Sequence, residues 1–573
     1  MRSILTFRAS QAREAATIAA AVEEHGWPAG FEECLPRLTP ARTRELHEEL
    51  WLRHTGWKGL FAPEARRTAL VIESGYGSAT VSLAQDFDRV FSWIPDESQR
   101  GSARARVGAL EIGNVIFLND LEALPPVTLD ASVVYGFDDR TAASILKGRP
   151  GFDQLGPAGA VFVGVRRPVG RVRRLVRALT FGDPATTLVR DVASEGRRTQ
   201  THCYTGDLTR ASEWRAVDED ASWWRQWRNV VRAPAMSFVG WRNPRARSLF
   251  DRVFDSAQER CREAWSGGGR LQVMQQFFSN PEGATFICRY GERLLILRVP
   301  LNDRTAERFK RNYEALGAMS AAGFGASIAH PLFCGHIGDR PYFAESVVAG
   351  EPLRTHVRKG NTRAIDEAIE WITQVHSATA HRQPLKGTWL TDRVSAPVRK
   401  AFAFLGRSDL EPVCQRMLLF LEGQLSHRPL PLVRAHGDFS IDNVRLAPDG
   451  RMVTGVFDWD LSVGAGLPFL DPCYLLASVE AARRDEPVGR SLARLVAGLE
   501  AGDGVSTPVA RYRAALGLPE HLLFPLGLLT WVYHVAYRIE NLEPYRWPHL
   551  MAEVVDPILP ILERRLESAR RSA

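Results

Sequence analysis

Apolar and polar positions follow three successive rhythms along this chain, and each predicts a different set of elements. Across residues 9–56 apolar side chains recur at helical spacing in Ala-rich and Leu-Arg segments, so this lead-in reads as helices. From residue 68 the rhythm becomes short apolar runs separated by amphipathic stretches. Runs at 69–72, 89–94, 114–118, 131–135 and 160–165 predict buried strands, with a helix over 78–84 between the first two. Strands alternating with helices predict a parallel, doubly wound sheet, an α/β fold. Beyond residue 245 the pattern changes again. Runs at 284–289 and 293–299 flank Gly291 and predict an antiparallel hairpin, and helices follow over 305–320, 363–378 and 398–425. Val444 and Leu446 then alternate into a strand, Pro448, Asp449 and Gly450 turn, and Val453, Val456 and Phe457 return. The tail over 521–566 is apolar and helical, so this half reads as α+β.

Length turns these rhythms into domains. A chain of 573 residues exceeds one core, and the expected units are residues 1–205, a linker over 206–245, and residues 246–573, the last divided near residue 350. An apolar share of 45% and a charged share of 24% match a folded protein without long disordered stretches. The linker interleaves Trp214, Trp223, Trp224, Trp227 and Trp241 with Arg225, Arg228 and Arg232; it reads as a helix packed between domains, with peripheral membrane contact as the alternative. Nine Arg residues lie between Arg166 and Arg198, a solvated face or, more sharply, an anion-binding patch.

The net charge of +7 suits anionic ligands without calling for nucleic acid, and no aromatic-interleaved RNA-binding pattern accompanies the arginines. Seven cysteines scattered singly argue against a zinc site or a disulfide framework. The N-terminus lacks an apolar leader and no run is long enough to span a bilayer, so a cytoplasmic location is expected.

The chemistry is concentrated between residues 434 and 460. His436, Gly437 and Asp438 are followed by Asn443 and, after the hairpin, by Phe457, Asp458, Trp459 and Asp460. An acid, then Asn five residues on, then a second acid on an apolar run, is the spacing of a metal-assisted phosphoryl-transfer site. Asp438 would be the base that orients an acceptor hydroxyl, with His436 beside it in the catalytic loop. Asn443 and Asp458 offer the hard oxygen ligands that suit Mg²⁺. This combined motif resembles the aminoglycoside phosphotransferase and choline kinase family, protein-kinase-like enzymes that phosphorylate small molecules. The resemblance implies a two-lobed fold over 246–573, ATP and Mg²⁺ as cofactors, Arg298 in the place of the strand Lys that contacts phosphates, and Glu314 as its ion-pair partner, with Glu307 competing. It makes 343–353 the hinge that binds adenine, and Asp471 is read as structural.

In the front half the informative stretch is the turn after the first strand, where Glu73, Gly75, Gly77 and Ser78 let the backbone approach a ligand. Thr80 replaces the third glycine of a dinucleotide fingerprint, which disfavours a nicotinamide or flavin. The turn resembles the first motif of class I S-adenosylmethionine-dependent methyltransferases, which have a Rossmann-like fold. By that resemblance Asp120 is the adenine-contacting acid, and Gly156 and Gly159 make a turn before the fifth strand. The ribose acid is displaced from the end of the second strand to Asp96 or Glu97.

The expected function is therefore an ATP- and Mg²⁺-dependent phosphotransferase acting on a hydroxyl of a sugar, glycan end or amino alcohol, fused to a methyltransferase-like domain that takes S-adenosylmethionine. The order of the halves is similar to bifunctional enzymes that terminate bacterial O-antigen chains. The alternatives are a stand-alone antibiotic or choline-like kinase with a non-catalytic front domain, and a pseudoenzyme scaffold.

Overall fold

The computed structural model describes residues 9–50, most of 58–145, 154–166, 187–190, 201–204, 236–242 and, with short gaps, 247–564. Most of the Arg-rich run and the Trp- and Arg-rich linker over 205–235 lie outside the described residues. The chain forms two compact units, Met1–Ala306 with Phe333–Ala344, and Glu307–Leu332 with Glu345–Ala573.

The first unit begins with the helices Ala9–His25, Ala29–Cys34 and Pro40–Leu50, as the helical spacing predicts. Then come β1 (Thr68–Glu73), β2 (Arg89–Trp93), β3 (Val115–Phe117), β4 (Leu129–Asp138) and β5 (Leu155–Arg166), all parallel in the order β3-β2-β1-β4-β5. The short pair β6 (Thr187–Arg190) and β7 (Thr201–Tyr204) makes a two-stranded sheet of its own, and β8 (Met236–Arg242) closes the edge antiparallel to β5. β1 is apolar without interruption from Ala69 to Ile72 because both faces of the sheet are covered, and all four side chains are fully buried. The chain reverses direction across the sheet between β1 and β4, an arrangement compatible with a Rossmann-like domain. Gly156 and Gly159, expected in a turn, lie within β5 instead.

The same unit holds an antiparallel sheet in the order β12-β13-β11-β10-β9, made of β9 (Leu271–Ser279), β10 (Gly283–Tyr290), β11 (Arg293–Pro300), β12 (Pro331–Ile337) and β13 (Arg340–Ser346). The hairpin about Gly291 is β10 and β11. The compact division thus falls after Ala306 rather than at the linker, and a buried ionic cluster gives the reason. Lys58 donates to Glu282 at 2.8 Å and to the Ser82 carbonyl at 3.1 Å, and pairs with Asp86. Arg66 and Arg340 hold the other oxygen of Asp86 at 2.9 and 2.8 Å. Residues from the parallel sheet's surroundings and from the antiparallel sheet thereby share one set of buried charges.

The second unit is mostly helical, with a core beneath the catalytic loop that includes Phe439, Ile441, Val444, Val456 and Trp459. β14 (Glu351–Pro352), β17 (Val444–Leu446) and β18 (Val453–Val456) form one small sheet; β15 (His381–Pro384), β16 (Pro429–Ala435) and β19 (Val463–Gly466) form another. The helices Thr362–Thr379 and Leu470–Arg484 support both.

Candidate active site

β16 delivers the catalytic loop. Its apolar run ends at Ala435, and Gly437 then takes a left-handed φ of 85°. A side chain there would meet the Leu461 carbonyl at 2.4 Å, so only glycine fits. The turn leaves Asp438 half-buried while His436 is wholly inside.

Asp471, at the start of the helix Leu470–Arg484, clamps the loop from below. Its two oxygens accept from the backbone N–H of His436 at 2.7 Å and of Gly437 at 3.0 Å. His376 bonds the first of those oxygens through Nε2 at 3.1 Å, and its Nδ1 lies 2.8 Å from the Tyr512 hydroxyl. Tyr512 in turn accepts from the Phe469 N–H at 2.8 Å. Burial alone would raise the Asp471 carboxyl, but the bond and charge of His376 outweigh it and hold it below the usual carboxylate range. Asp471 has the structural place expected of it: it fixes the backbone of the loop at His436 and Gly437.

His436, expected beside Asp438 as a catalytic group, has both ring nitrogens turned to the loop's own backbone. Its Nε2 meets the Phe457 carbonyl at 3.1 Å and its Nδ1 accepts from the Asp438 N–H at 3.2 Å. Both ring nitrogens are spent on the loop, and burial pushes the imidazole pKa down, so it is the neutral tautomer protonated on Nε2. His436 is a positioning residue.

The carboxyl of Asp438 accepts from the Asn443 amide at 3.1 Å, and the same amide nitrogen reaches the Asp438 carbonyl at 2.9 Å. With its nitrogen so used, the end of Asn443 that suits a cation is the oxygen. Asp458 follows β18 with φ at 69°, a left-handed conformation unusual for a residue with a side chain. The next residue is anchored, since Trp459 N–H donates at 2.8 Å to Asn312, which donates at 2.6 Å to the buried Glu345. Arg308 pairs with Asp460, Arg311 donates to the Asp460 carbonyl at 3.2 Å, and Arg354 grips Asp442 through two bonds of 2.6 Å.

Burial, then the charges of Asp458 and Asp460, push Asp438 up to about 8. Crowded acids of this kind suit a divalent cation. Among the described residues no group of three His, Cys, Asp or Glu side chains forms a metal cluster.

The other expected residues are placed by their own elements. Arg298 is buried on β11, in the first unit, while Glu314 and Glu307 lie on the exposed face of the helix Asp303–Met319. The inward polar residues of that helix are Thr305 and Asn312. Asp96 caps the helix Glu97–Ala109 through the Gln99 N–H at 2.8 Å, and Asp120 accepts from the Glu122 N–H at 3.2 Å. Glu73 accepts from the N–H groups of Ala79 and Thr80 at 2.9 and 3.1 Å. The Gly75 N–H is taken by Gln99 at 3.0 Å, Arg106 holds the Tyr76 carbonyl at 2.6 Å, and every residue from Gly75 to Thr80 is buried, Gly77 included.

Residues 275–505 match the family model described as the phosphotransferase enzyme family, APH. The C-terminal half carries a phosphotransferase-family domain. Acyl-CoA dehydrogenase family member 11 of Gallus gallus is 26% identical over 221 residues, covering 36% of this chain and 28% of that protein. The ADP-bound crystal structure of aminoglycoside phosphotransferase APH(2'')-Ib is similar over 55% of this chain and 98% of its own, at 14% identity and a TM-score of 0.37. An rRNA methylase structure from Streptococcus thermophilus is similar over 29% of this chain and 93% of its own, at 15% identity and a TM-score of 0.19.

Proposed function

We propose that this chain is an ATP- and Mg²⁺-dependent phosphotransferase that acts on a hydroxyl of a small molecule or glycan end. One observation carries the reading: Asp438 stands half-buried on a backbone clamped by Asp471, bonded to the Asn443 amide and crowded by Asp458 and Asp460. A carboxylate in that place can accept the proton of a hydroxyl, and its fixed backbone orients the acceptor. Asn443 through its oxygen and Asp458 through its carboxylate would hold Mg²⁺, with Asp460 kept aside by Arg308. When bound, the ion supplies the positive charge that offsets the transferring phosphoryl group. Asp438→Asn removes the base and spares the ligands, so phosphoryl transfer should fall by about 10²- to 10⁴-fold while Mg-ATP binding by calorimetry changes little. Turnover near the wild-type rate would take Asp438 out of the mechanism.

The front sheet is proposed as a support. Its glycine turn is filled from within by Glu73, Gln99 and Arg106, so S-adenosylmethionine at millimolar concentration should leave the melting temperature of the full chain unchanged. A saturable rise in melting temperature would restore the cofactor site.

A further inference from the structure

The acceptor of the proposed reaction can be narrowed by charge. Arg434 is the penultimate residue of β16, four positions before Asp438. Its neighbours Val433 and Ala435 are buried, while Arg434 is half-buried beside β19. There it crosses β19 at Gly464, with a guanidinium nitrogen 3.5 Å from where a β-carbon on that glycine would sit. Gly464 and Val463 are exposed, so the guanidinium borders an open face. The segment that follows Asp460 also runs along the catalytic loop, where the Ser462 hydroxyl donates to the Ala435 carbonyl at 2.9 Å.

Arg434 differs from the other arginines around the loop. Arg308 is matched by Asp460 and Arg354 by Asp442. Arg434 is half-buried, and among the described residues no carboxylate lies within ion-pair distance of it. Burial pushes its pKa down and no acid opposes the shift, yet a guanidinium stays charged. A cation partly stripped of water and left without an acid is costly to keep in a fold, and an anionic ligand repairs that cost. Two further cations add to the field. Arg393 donates to the Ala465 carbonyl at 2.7 Å and stacks on Trp389, with Asp392 as its adjoining acid, and Arg311 is held only by the Asp460 carbonyl among the described contacts.

We propose that Arg434 determines acceptor specificity by binding an anionic group, phosphate or carboxylate, on the molecule whose hydroxyl meets Asp438. This rests on the kinase reading above. An acceptor of that charge would otherwise be repelled by Asp438, Asp458 and Asp460, so its binding needs a cation placed where Arg434 stands. A cationic acceptor has no use for this arginine.

The test uses the full chain with Mg-ATP and follows phosphoryl transfer to matched hydroxyl compounds. Glucose 6-phosphate and glycerol 3-phosphate form one arm, glucuronate and glycerate a second, glucose and glycerol a third, choline and kanamycin a fourth. Product is expected in the phosphate or the carboxylate arm, and which one identifies the source of the charge. Arg434→Gln should lower kcat/KM for that acceptor about 10- to 100-fold with the KM for ATP within about twofold of wild type, and Arg434→Lys should recover part of the loss. The lysine variant carries the test if the glutamine variant does not fold. Preference for the neutral or cationic arms overturns the proposal, as does a loss equal in every arm. No product in either anionic arm while Mg-ATP still binds overturns it too, and leaves the kinase reading standing. Failure to bind Mg-ATP would instead overturn the kinase reading itself.

Discussion

His436 shows how one buried side chain ties stability to pH. Burial lowers its pKa below the ordinary 6.5, against the raising effect of Asp471. Above pH 6.5 neither the folded nor the unfolded chain protonates it, and it contributes no pH dependence. As pH falls below that value the unfolded chain takes up the proton and the folded chain does not, so stability drops until the depressed folded pKa is reached. His436→Gln can keep both bonds, donating to Phe457 and accepting from Asp438, but does not titrate. Urea unfolding at pH 5.5 and 7.5 should therefore show wild type losing more stability on acidification than the variant; parallel losses would mean that His436 is not held neutral. Asp471 acts on the same loop in the opposite electrostatic sense, since its carboxylate must stay ionised to hold two N–H groups. Asp471→Asn replaces one acceptor oxygen by a donor facing those N–H groups. It should lower kcat for phosphoryl transfer by about tenfold or more and leave the KM for ATP close to wild type. Steady-state kinetics check this, and a change confined to the KM would assign Asp471 to nucleotide binding instead.

The elements were legible where a periodicity had one interpretation. Five parallel strands, the hairpin about Gly291 and the hairpin that carries Asn443 and Asp458 lie where short apolar runs and turn residues predict them. What sequence spacing could not show was which polar residue of a helix turns inward. In the helix Asp303–Met319 the acids Glu307 and Glu314 suit an ion pair by type, yet the polar residues facing the core are Thr305 and Asn312, and His376 is buried in the same way on the helix Thr362–Thr379. A lone polar residue on an apolar stripe was the available signal, and it is a weak one because such residues also occur as satisfied core groups. Asn312 links three parts of the second unit, since its amide serves Trp459 and Glu345 together. Asn312→Ala removes the side-chain acceptor of the buried Trp459 N–H and one of the bonds to Glu345, so a loss of about 1 to 3 kcal/mol is expected in chemical denaturation. Because Trp459 stands between Asp458 and Asp460, the variant should also need more Mg²⁺ for half-maximal rate. A stability loss with an unchanged Mg²⁺ requirement would confine Asn312 to packing.

At the scale of the whole molecule the instructive feature is the fusion of the parallel and antiparallel sheets into one compact unit. Sequence rhythm separates them, because a change from α/β to α+β patterning marks a change of architecture and says nothing about which architectures share buried charge. Lys58, the only ammonium in the cluster, meets Asp86 and Glu282, and both of those carboxylates are nearly without solvent contact. Burial alone would raise the Asp86 pKa; Lys58, Arg66 and Arg340 together hold it below the ordinary value, so the acid is charged and depends on them. Lys58→Met leaves Asp86 with two arginines but leaves Glu282, among the described residues, with the Ser82 hydroxyl and Asn302 and no cation. The expected cost is about 3 to 5 kcal/mol, the range for breaking a buried pair by removing one partner. Lys58→Met combined with Glu282→Leu removes the stranded charge as well, and should recover much of that loss because an apolar pair of similar volume fills the space. Calorimetry of the full chain decides it. The single variant should lower the transition of the first unit with both sheets melting together, and the double variant should raise it again; a double variant no more stable than the single one would show that the cluster is not what joins the two sheets.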